Sequence, residues 1–101
     1  MDKIYIGKIV NTHGIKGELR IRSDFLYKDK VFVKGNSLII DDKKYLIKNY
    51  RRHKTFDMVM LDEYNNINQV LFLVGKKVYF DKSLLILDDN EVLDSDLVNY
   101  N

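Results

Sequence analysis

The chain has 101 residues, 46% apolar and 32% charged, a balance that predicts one compact soluble domain and leaves no room for a second full one. It contains no cysteine, which excludes a disulfide framework, a thiolate zinc site and a cysteine nucleophile. The net charge is only +2, and no segment approaches the roughly 18 consecutive apolar residues of a membrane-spanning helix or has the pattern of a secretory leader, so we expect a cytoplasmic protein that contacts no membrane.

Two strands are predicted at the start of the chain, over residues 5–11 and 18–23. In the second strand Leu19 and Ile21 alternate with charged residues, which predicts one buried and one exposed face. Isoleucine, valine and leucine are abundant in the whole chain, as are tyrosine and phenylalanine, whereas alanine and proline are absent. Because β-branched and aromatic side chains pack well on a sheet surface, the composition also favours an all-β fold.

The connection between these strands, residues 12–17, contains Gly14 and Gly17, three positions apart. Glycine permits a positive φ in a tight turn, and its lack of a Cβ atom lets a partner approach the backbone closely. We therefore regard the loop as a candidate binding element. A tight turn without any ligand is the simpler interpretation of the two glycines.

The middle of the chain is predicted to hold a long connection followed by three strands. In the connection, residues 24–36, four side chains are expected to pack back onto the core: Phe25, Tyr27, Val31 and Phe32. The strands are predicted over residues 38–40, 44–52 and 56–61, with turns at 41–42 and 54–55.

One short helix is predicted late in the chain. Asn66 is suited to an N-cap, Gln69 completes a capping box, and Gly75 supplies the stop before a last strand over residues 77–80. Short strands joined mostly by hairpins predict a small closed antiparallel barrel, because closure leaves no exposed sheet edge. Seven aliphatic residues are predicted to share its core: Leu19, Ile21, Leu38, Ile40, Ile47, Val59 and Val78.

The residues after Asp81 are predicted to form a docked or frayed tail. Residues 84–87 are all apolar but have no obvious strand partner, and they are followed by an acidic stretch without any basic residue. We expect the tail to be less ordered than the barrel, because its apolar groups lack partners and its carboxylates repel one another. This tail is therefore not expected to bind phosphate.

The two halves of the chain carry opposite charge. Residues 1–54 hold 14 basic and 6 acidic residues, and residues 55–101 hold 3 and 9, so the halves carry +8 and −6. A basic half can contact nucleic-acid phosphates without base specificity. The alternative is that its lysines only keep loops and hairpins solvated.

No catalytic or metal-binding pattern is found. His13 and His53 are the only histidines and have no metal-ligand spacing, no serine lies in a nucleophile-elbow context, and no glycine-rich phosphate loop is present. We therefore predict no enzymatic activity, no metal and no cofactor. A small flavin-reductase type of enzyme would share the barrel but would need a cofactor site that the sequence lacks.

Three parts of the sequence resemble the RimM family of ribosome maturation factors. Residues 6–19 follow the family's pattern G-x-I-x-x-x-H-G-[IL]-[KR]-G-E, and residues 52–54 are similar to its H-K turn. Residues 66–79 are similar to its D-x-N-x-A-x-x-L-x-G-x-x-L-[YF]-V segment, with Asn66 in place of the acidic residue and Val70 in place of the alanine. Residues 96–98 are similar to the D-L-[IV] that opens the family's second domain.

The resemblance implies a six-stranded antiparallel barrel over residues 1–82, like the second domain of translational GTPases. Residues 83–101 would be an acidic linker and the start of a second, PRC-type barrel. It also implies a monomeric assembly factor that binds the small ribosomal subunit precursor near ribosomal protein S nineteen and the adjacent rRNA of the head, promoting rRNA processing and maturation. The alternative is a non-catalytic barrel that docks a protein through residues 84–87 without contacting nucleic acid.

The candidate ribosome- or rRNA-binding site combines the loop of residues 12–17, the exposed face of the second strand and the basic turn of residues 51–54. Arginine is favoured for phosphate because its guanidinium can donate two parallel hydrogen bonds. The simplest alternative for Glu18 is an ion pair with Lys16 or Arg20. The predicted site residues are His13, Gly14, Lys16, Gly17, Arg20, Arg22, Arg51, Arg52, His53 and Lys54.

Overall fold

The computed structural model describes residues 2–91 and residue 93, and six antiparallel strands form its framework. The strands are β1 (Lys3–His13), β2 (Glu18–Arg22), β3 (Ser37–Ile40), β4 (Lys43–His53), β5 (Phe56–Leu61) and β6 (Lys77–Asp81). They are hydrogen-bonded in the order β1-β2-β5-β4-β3-β6, and β6 pairs with β1 to close the barrel. The predicted all-β, six-stranded antiparallel fold is therefore confirmed.

Aliphatic side chains fill the barrel. In β2 the residues alternate as predicted, with Leu19 and Ile21 buried and Arg22 exposed. None of the seven predicted core aliphatic residues is more than 1% exposed, so this prediction is confirmed.

The connection between β2 and β3 contains a single helical turn, α1 (Lys28–Val31), where no helix was predicted. Tyr27, Val31 and Phe32 are buried and Phe25 packs against the core, as expected from the sequence. The turn is too short to show the helical periodicity on which a sequence-based prediction depends.

The predicted helix near Asn66 consists of two 3₁₀ turns, Ile67–Gln69 and Leu71–Leu73. The predicted capping box between Asn66 and Gln69 is present. In a 3₁₀ turn residues three apart lie on the same side, and this places Val70 and Leu73 together in the core, where both are fully buried.

The tail has more contacts with the barrel than the sequence indicated. A further 3₁₀ turn covers Lys82–Leu84, Leu85 packs against the core, Leu93 is 4% exposed and Glu91 forms an ion pair with Lys30 at 3.1 Å. The expectation that its apolar groups lack partners is therefore wrong for Leu85 and Leu93. The predicted start of a second domain at residues 96–98 lies outside the described residues.

Candidate functional site

Four predicted site residues meet on the outer surface of the barrel, where β1, β2, β5 and β4 lie side by side. Arg20 of β2 and Arg51 of β4 are both in register with Met58 of β5, which lies between them. Residues paired across antiparallel strands project to the same face. Met58 is fully buried but is not part of the main core cluster, which indicates that the stems of long neighbouring side chains cover it from outside. We call His13, Arg20, Arg51 and His53 the outer basic cluster.

Arg20 is the centre of this cluster. Its Nη2 lies 3.2 Å from Nδ1 of His13, and its guanidinium carbon lies 5.2 Å from the centre of the Phe56 ring. Because arginine can only donate, Nδ1 of His13 must accept, which leaves the proton of a neutral His13 on Nε2. The Nε of Arg20 is buried and has no hydrogen-bond partner among the described residues. Arg20 thus has donor capacity that the protein itself does not use.

The two histidines lie side by side on this face. The ring centres of His13 and His53 are 5.9 Å apart. Burial, and then the positive charges of Arg51 and Lys54, lower the pKa of His53 below its ordinary value. This lowered pKa favours the neutral form of His53. An anion placed next to it would favour its protonation, because an opposite charge stabilises the imidazolium form.

Glu18 neutralises part of the cluster through Arg51. The Arg51 Nη2 and Nε donate to the two carboxylate oxygens of Glu18 at 2.7 and 2.9 Å. This hydrogen bonding, more than the charge, holds the pKa of the Glu18 carboxyl below its ordinary value. The simplest alternative for Glu18, an ion pair with Lys16 or Arg20, is therefore wrong. The reason is the strand order. Strand β5 lies between β2 and β4, so the long Arg51 side chain of β4 reaches across β5 and donates two hydrogen bonds to Glu18 of β2.

The basic run at residues 51–54 divides between two sides of the β4–β5 hairpin. Successive side chains of a strand point to opposite faces, so Arg52 projects away from the face that holds Arg51 and His53. Lys54 is exposed in the turn, where its φ is +56°. Arg22 is exposed two residues beyond Arg20, in register with Lys8 of β1. Only part of the predicted site therefore forms one continuous patch.

The loop of residues 12–17 has two glycines in different surroundings. Gly14 is exposed, with φ at +78° and no atom within 4 Å of the position that a Cβ would occupy. Gly17 is buried, and a Cβ there would lie 2.8 Å from Val70. Gly14 therefore leaves space for a partner at the backbone, whereas Gly17 allows the loop to pack on the 3₁₀ segment. Lys16 is exposed between them.

Sequence reasoning missed Phe56, Lys8 and Lys48. Phe56 supports the Arg20 guanidinium, and the two lysines are exposed beside predicted site residues. The alternation of Phe56 and Met58 could have placed both on one face of β5. The signal is ambiguous because both faces of β5 carry large apolar side chains, so its alternation does not distinguish the outside from the core.

A second charged cluster lies beneath the barrel surface and is structural. Asp57 is fully buried, accepts a hydrogen bond from the Tyr50 hydroxyl at 2.6 Å and forms an ion pair with Lys28 at 3.0 Å. Burial, then the hydrogen bond to Asp57, raise the pKa of Tyr50 to about 12. Within residues 2–91 and 93 we find no group of three histidine or acidic side chains placed to hold a metal ion. The same residues include no helix with the length and apolar character needed to cross a membrane.

A family model described as the RimM N-terminal domain matches residues 4–85. Proteins named ribosome maturation factor RimM from the JH9 and Newman strains of Staphylococcus aureus are 34% identical to this chain over 102 aligned positions. The alignment covers 95% of this chain and 61% of each relative. The chain thus spans about three fifths of the length of these curated relatives.

Two solved structures have the same fold. The solution structure of the N-terminal domain of RimM from Thermus thermophilus has a TM-score of 0.71 at 22% identity, and the match covers 86% of this chain and 98% of that domain. The crystal structure of RimM from Pseudomonas aeruginosa has a TM-score of 0.66 at 21% identity, covering 81% of this chain and 52% of the other. Family model, sequence relatives and fold agree, and the chain belongs to the RimM family, where it corresponds to the N-terminal domain.

Proposed function

We propose that this chain is a non-catalytic ribosome assembly module that binds the immature small ribosomal subunit and promotes maturation of its head and processing of its rRNA. The Staphylococcus relatives are named ribosome maturation factors, which supports the assignment. The proposed partners are ribosomal protein S nineteen and the rRNA next to it, bound by a monomer in the cytoplasm. Residues 1–82 are proposed as the barrel domain, and residues 83–101 as the linker and start of a second domain.

The observation that carries this proposal is a set of cations without carboxylate partners, most of them around the outer basic cluster and one, Arg52, on the other side of the β4–β5 hairpin. In the part of the chain that the structure describes, these side chains form no ion pair, so they are available to phosphate oxygens. Each neutralised phosphate releases a condensed counterion, which favours binding and makes it dependent on salt. The residues are Lys8, Lys16, Arg20, Arg22, Lys48, Arg52 and Lys54.

Binding to purified small subunits over a range of salt concentrations tests the proposal. The variant Arg20→Met with Arg22→Met removes two charges but keeps an aliphatic stem over Met58. We expect weaker binding, with a salt slope reduced by about one for each phosphate that is no longer neutralised. Thermal unfolding should change little, because the stem is retained.

The matched control is Lys43→Met with Lys44→Met, at the opposite end of β4. At about 3.3 Å per residue, Lys43 lies roughly 33 Å along the strand from His53. This control removes the same charge and should bind as the unchanged chain does. Equal loss in both variants would show that only net charge matters, and unchanged binding of the arginine variant would rule out the proposed interface.

Exposed apolar groups on the tail favour a second candidate, the docking of a protein. Leu84 is 59% and Ile86 80% exposed. A docking barrel without nucleic-acid contact predicts that Leu84→Ser with Ile86→Ser abolishes subunit binding while the arginine variant binds normally. The opposite pattern supports the rRNA interface.

A further inference from the structure

A groove of about 440 Å³ lies between the loop of residues 12–17 and the outer side of β4 and β5. It adjoins the outer basic cluster, since His13 belongs to both. We call it the loop groove. Its lining residues are His13, Gly14, Ile15, Lys16, Glu18, Lys48, Asn49 and Met60.

The walls of the loop groove include two apolar side chains. Ile15 is 82% exposed, and Met60, across the groove, is only partly buried. The backbone of the loop is held in place, because Ile67 N–H donates to the Ile15 carbonyl at 2.8 Å and Gly17 N–H donates to the Gly14 carbonyl at 3.3 Å. Ile15 is therefore an apolar group held in solvent on a loop that is anchored to the barrel.

Three polar side chains around these walls, Lys16, Lys48 and Asn49, have no polar partner among the described residues. The exposed Asn49 side chain forms no hydrogen bond with any described residue, and Lys16 and Lys48 form no ion pair there. Glu18, the acidic residue of the lining, is already bound to Arg51. The groove thus offers apolar surface, an amide that can both donate and accept, and two cations at its rim.

We propose that the loop groove binds an unpaired base of RNA, with Ile15 and Met60 against its faces, Asn49 at its hydrogen-bonding edge and the two lysines on the flanking phosphates. This inference rests on the proposed function and deepens it, because it assigns the mode of RNA contact. An unpaired base has flat apolar faces and a polar edge, and proteins read RNA mostly through such bases. An apolar peptide side chain would fill the same walls, but the rim lysines and the adjacent arginines favour a polyanion.

The test compares Ile15→Ala with Ile86→Ala in the full 101-residue chain. Both isoleucines are about four-fifths exposed, at 82% and 80%, so the two variants remove the same group from equally exposed positions. The probes are a fluorescein-labelled single-stranded RNA of about twelve uridines, within the length that such binding surfaces cover, and a duplex RNA of equal length. Fluorescence anisotropy at several salt concentrations gives affinity and salt slope.

We expect Ile15→Ala to weaken binding of the single strand roughly tenfold, as loss of apolar contact area predicts, while Ile86→Ala binds normally. The salt slope should not change, because no charge is removed, whereas Lys48→Ala should lower it by about one. Duplex binding should be the same in all isoleucine variants.

Three results would overturn the proposal: no binding of the single strand by the unchanged chain, equal affinity of the two isoleucine variants, or equal losses with single strand and duplex. If Ile15→Ala binds the single-stranded RNA normally while the variant Arg20→Met with Arg22→Met loses binding to small subunits, the proposal that the loop groove binds a base is wrong and the proposed function is kept. If Ile15→Ala and the arginine variant both bind small subunits normally, but Ile15→Ala no longer binds a protein ligand of the unchanged chain, the loop groove binds a peptide and not a base.

Discussion

At the residue scale, the two loop glycines give a direct comparison of backbone strain and steric fit. Both have a positive φ, +78° at Gly14 and +83° at Gly17. An alanine at either position would have to adopt this left-handed backbone conformation, which costs about 1–2 kcal/mol of stability. At Gly17 the added methyl would also lie 2.8 Å from Val70 and 3.1 Å from the Asn66 carbonyl. We therefore predict that Gly17→Ala destabilises the fold more than Gly14→Ala.

Urea unfolding of the two variants measures this difference in free energy. Gly14→Ala is the control, because its Cβ would meet no atom within 4 Å. Equal losses would mean that Val70 moves aside at no cost. That result would contradict the prediction that close packing against Val70 requires a glycine at position 17 but not at position 14.

At the scale of elements, an ion pair with a fully buried carboxylate joins α1 to β5. The Asp57 carboxylate is fully buried, and Lys28 provides its nearest positive charge at 3.0 Å. Removing one partner of a buried pair leaves the other charge uncompensated, which typically costs about 3–5 kcal/mol. We predict a loss of this size for Lys28→Met, measured by chemical denaturation.

The control for this prediction is Lys30→Met, on the same helical turn. Lys30 pairs with Glu91 near the surface, with side chains 26% and 23% exposed, and such pairs contribute at most about 1 kcal/mol. Adding Asp57→Asn to Lys28→Met should recover part of the stability, because the asparagine amide is neutral and leaves no uncompensated charge in the interior. A loss for Lys28→Met no larger than that for Lys30→Met would show that Asp57 does not depend on Lys28.

The strands could be predicted from sequence because their signal is local, whereas the site depends on strand order. Alternation of Leu19 and Ile21 is enough to orient β2, and every predicted strand is present with ends shifted by at most two residues. The pairing of Glu18 with Arg51 is different, since the partners are 33 positions apart and meet only because β5 lies between their strands. Local alternation therefore predicted which arginines face outward on β2, but not which carboxylate would neutralise Arg51.

At the scale of the whole molecule, ring closure separates a cooperative barrel from a tail that packs on the barrel from outside the ring. Every strand of the ring has a neighbour on each side, so no strand is an edge that could open alone. Among the tail residues that the structure describes, the backbone hydrogen bonds run mainly within the tail, as in Leu85 N–H to the Lys82 carbonyl at 3.2 Å. Lys82 N–H donates to the Asp2 carbonyl, next to the start of β1, at 3.0 Å. Such bonds can open without unfolding the barrel.

We therefore predict that backbone amides of residues 83–91 exchange with solvent much faster than those of β1, β2 and β5, measured by hydrogen exchange with NMR detection. The strand amides should exchange through global unfolding, and their protection should fall in parallel when the core is truncated, for example by Ile21→Ala at a cost of about 2–5 kcal/mol. The tail amides should not follow that change, because their opening does not require loss of the core. The variant Lys30→Met removes the ion pair to Glu91 and should speed exchange in the tail alone. Tail protection equal to that of the strands, falling with Ile21→Ala, would make residues 83–91 part of the same cooperative unit as the barrel.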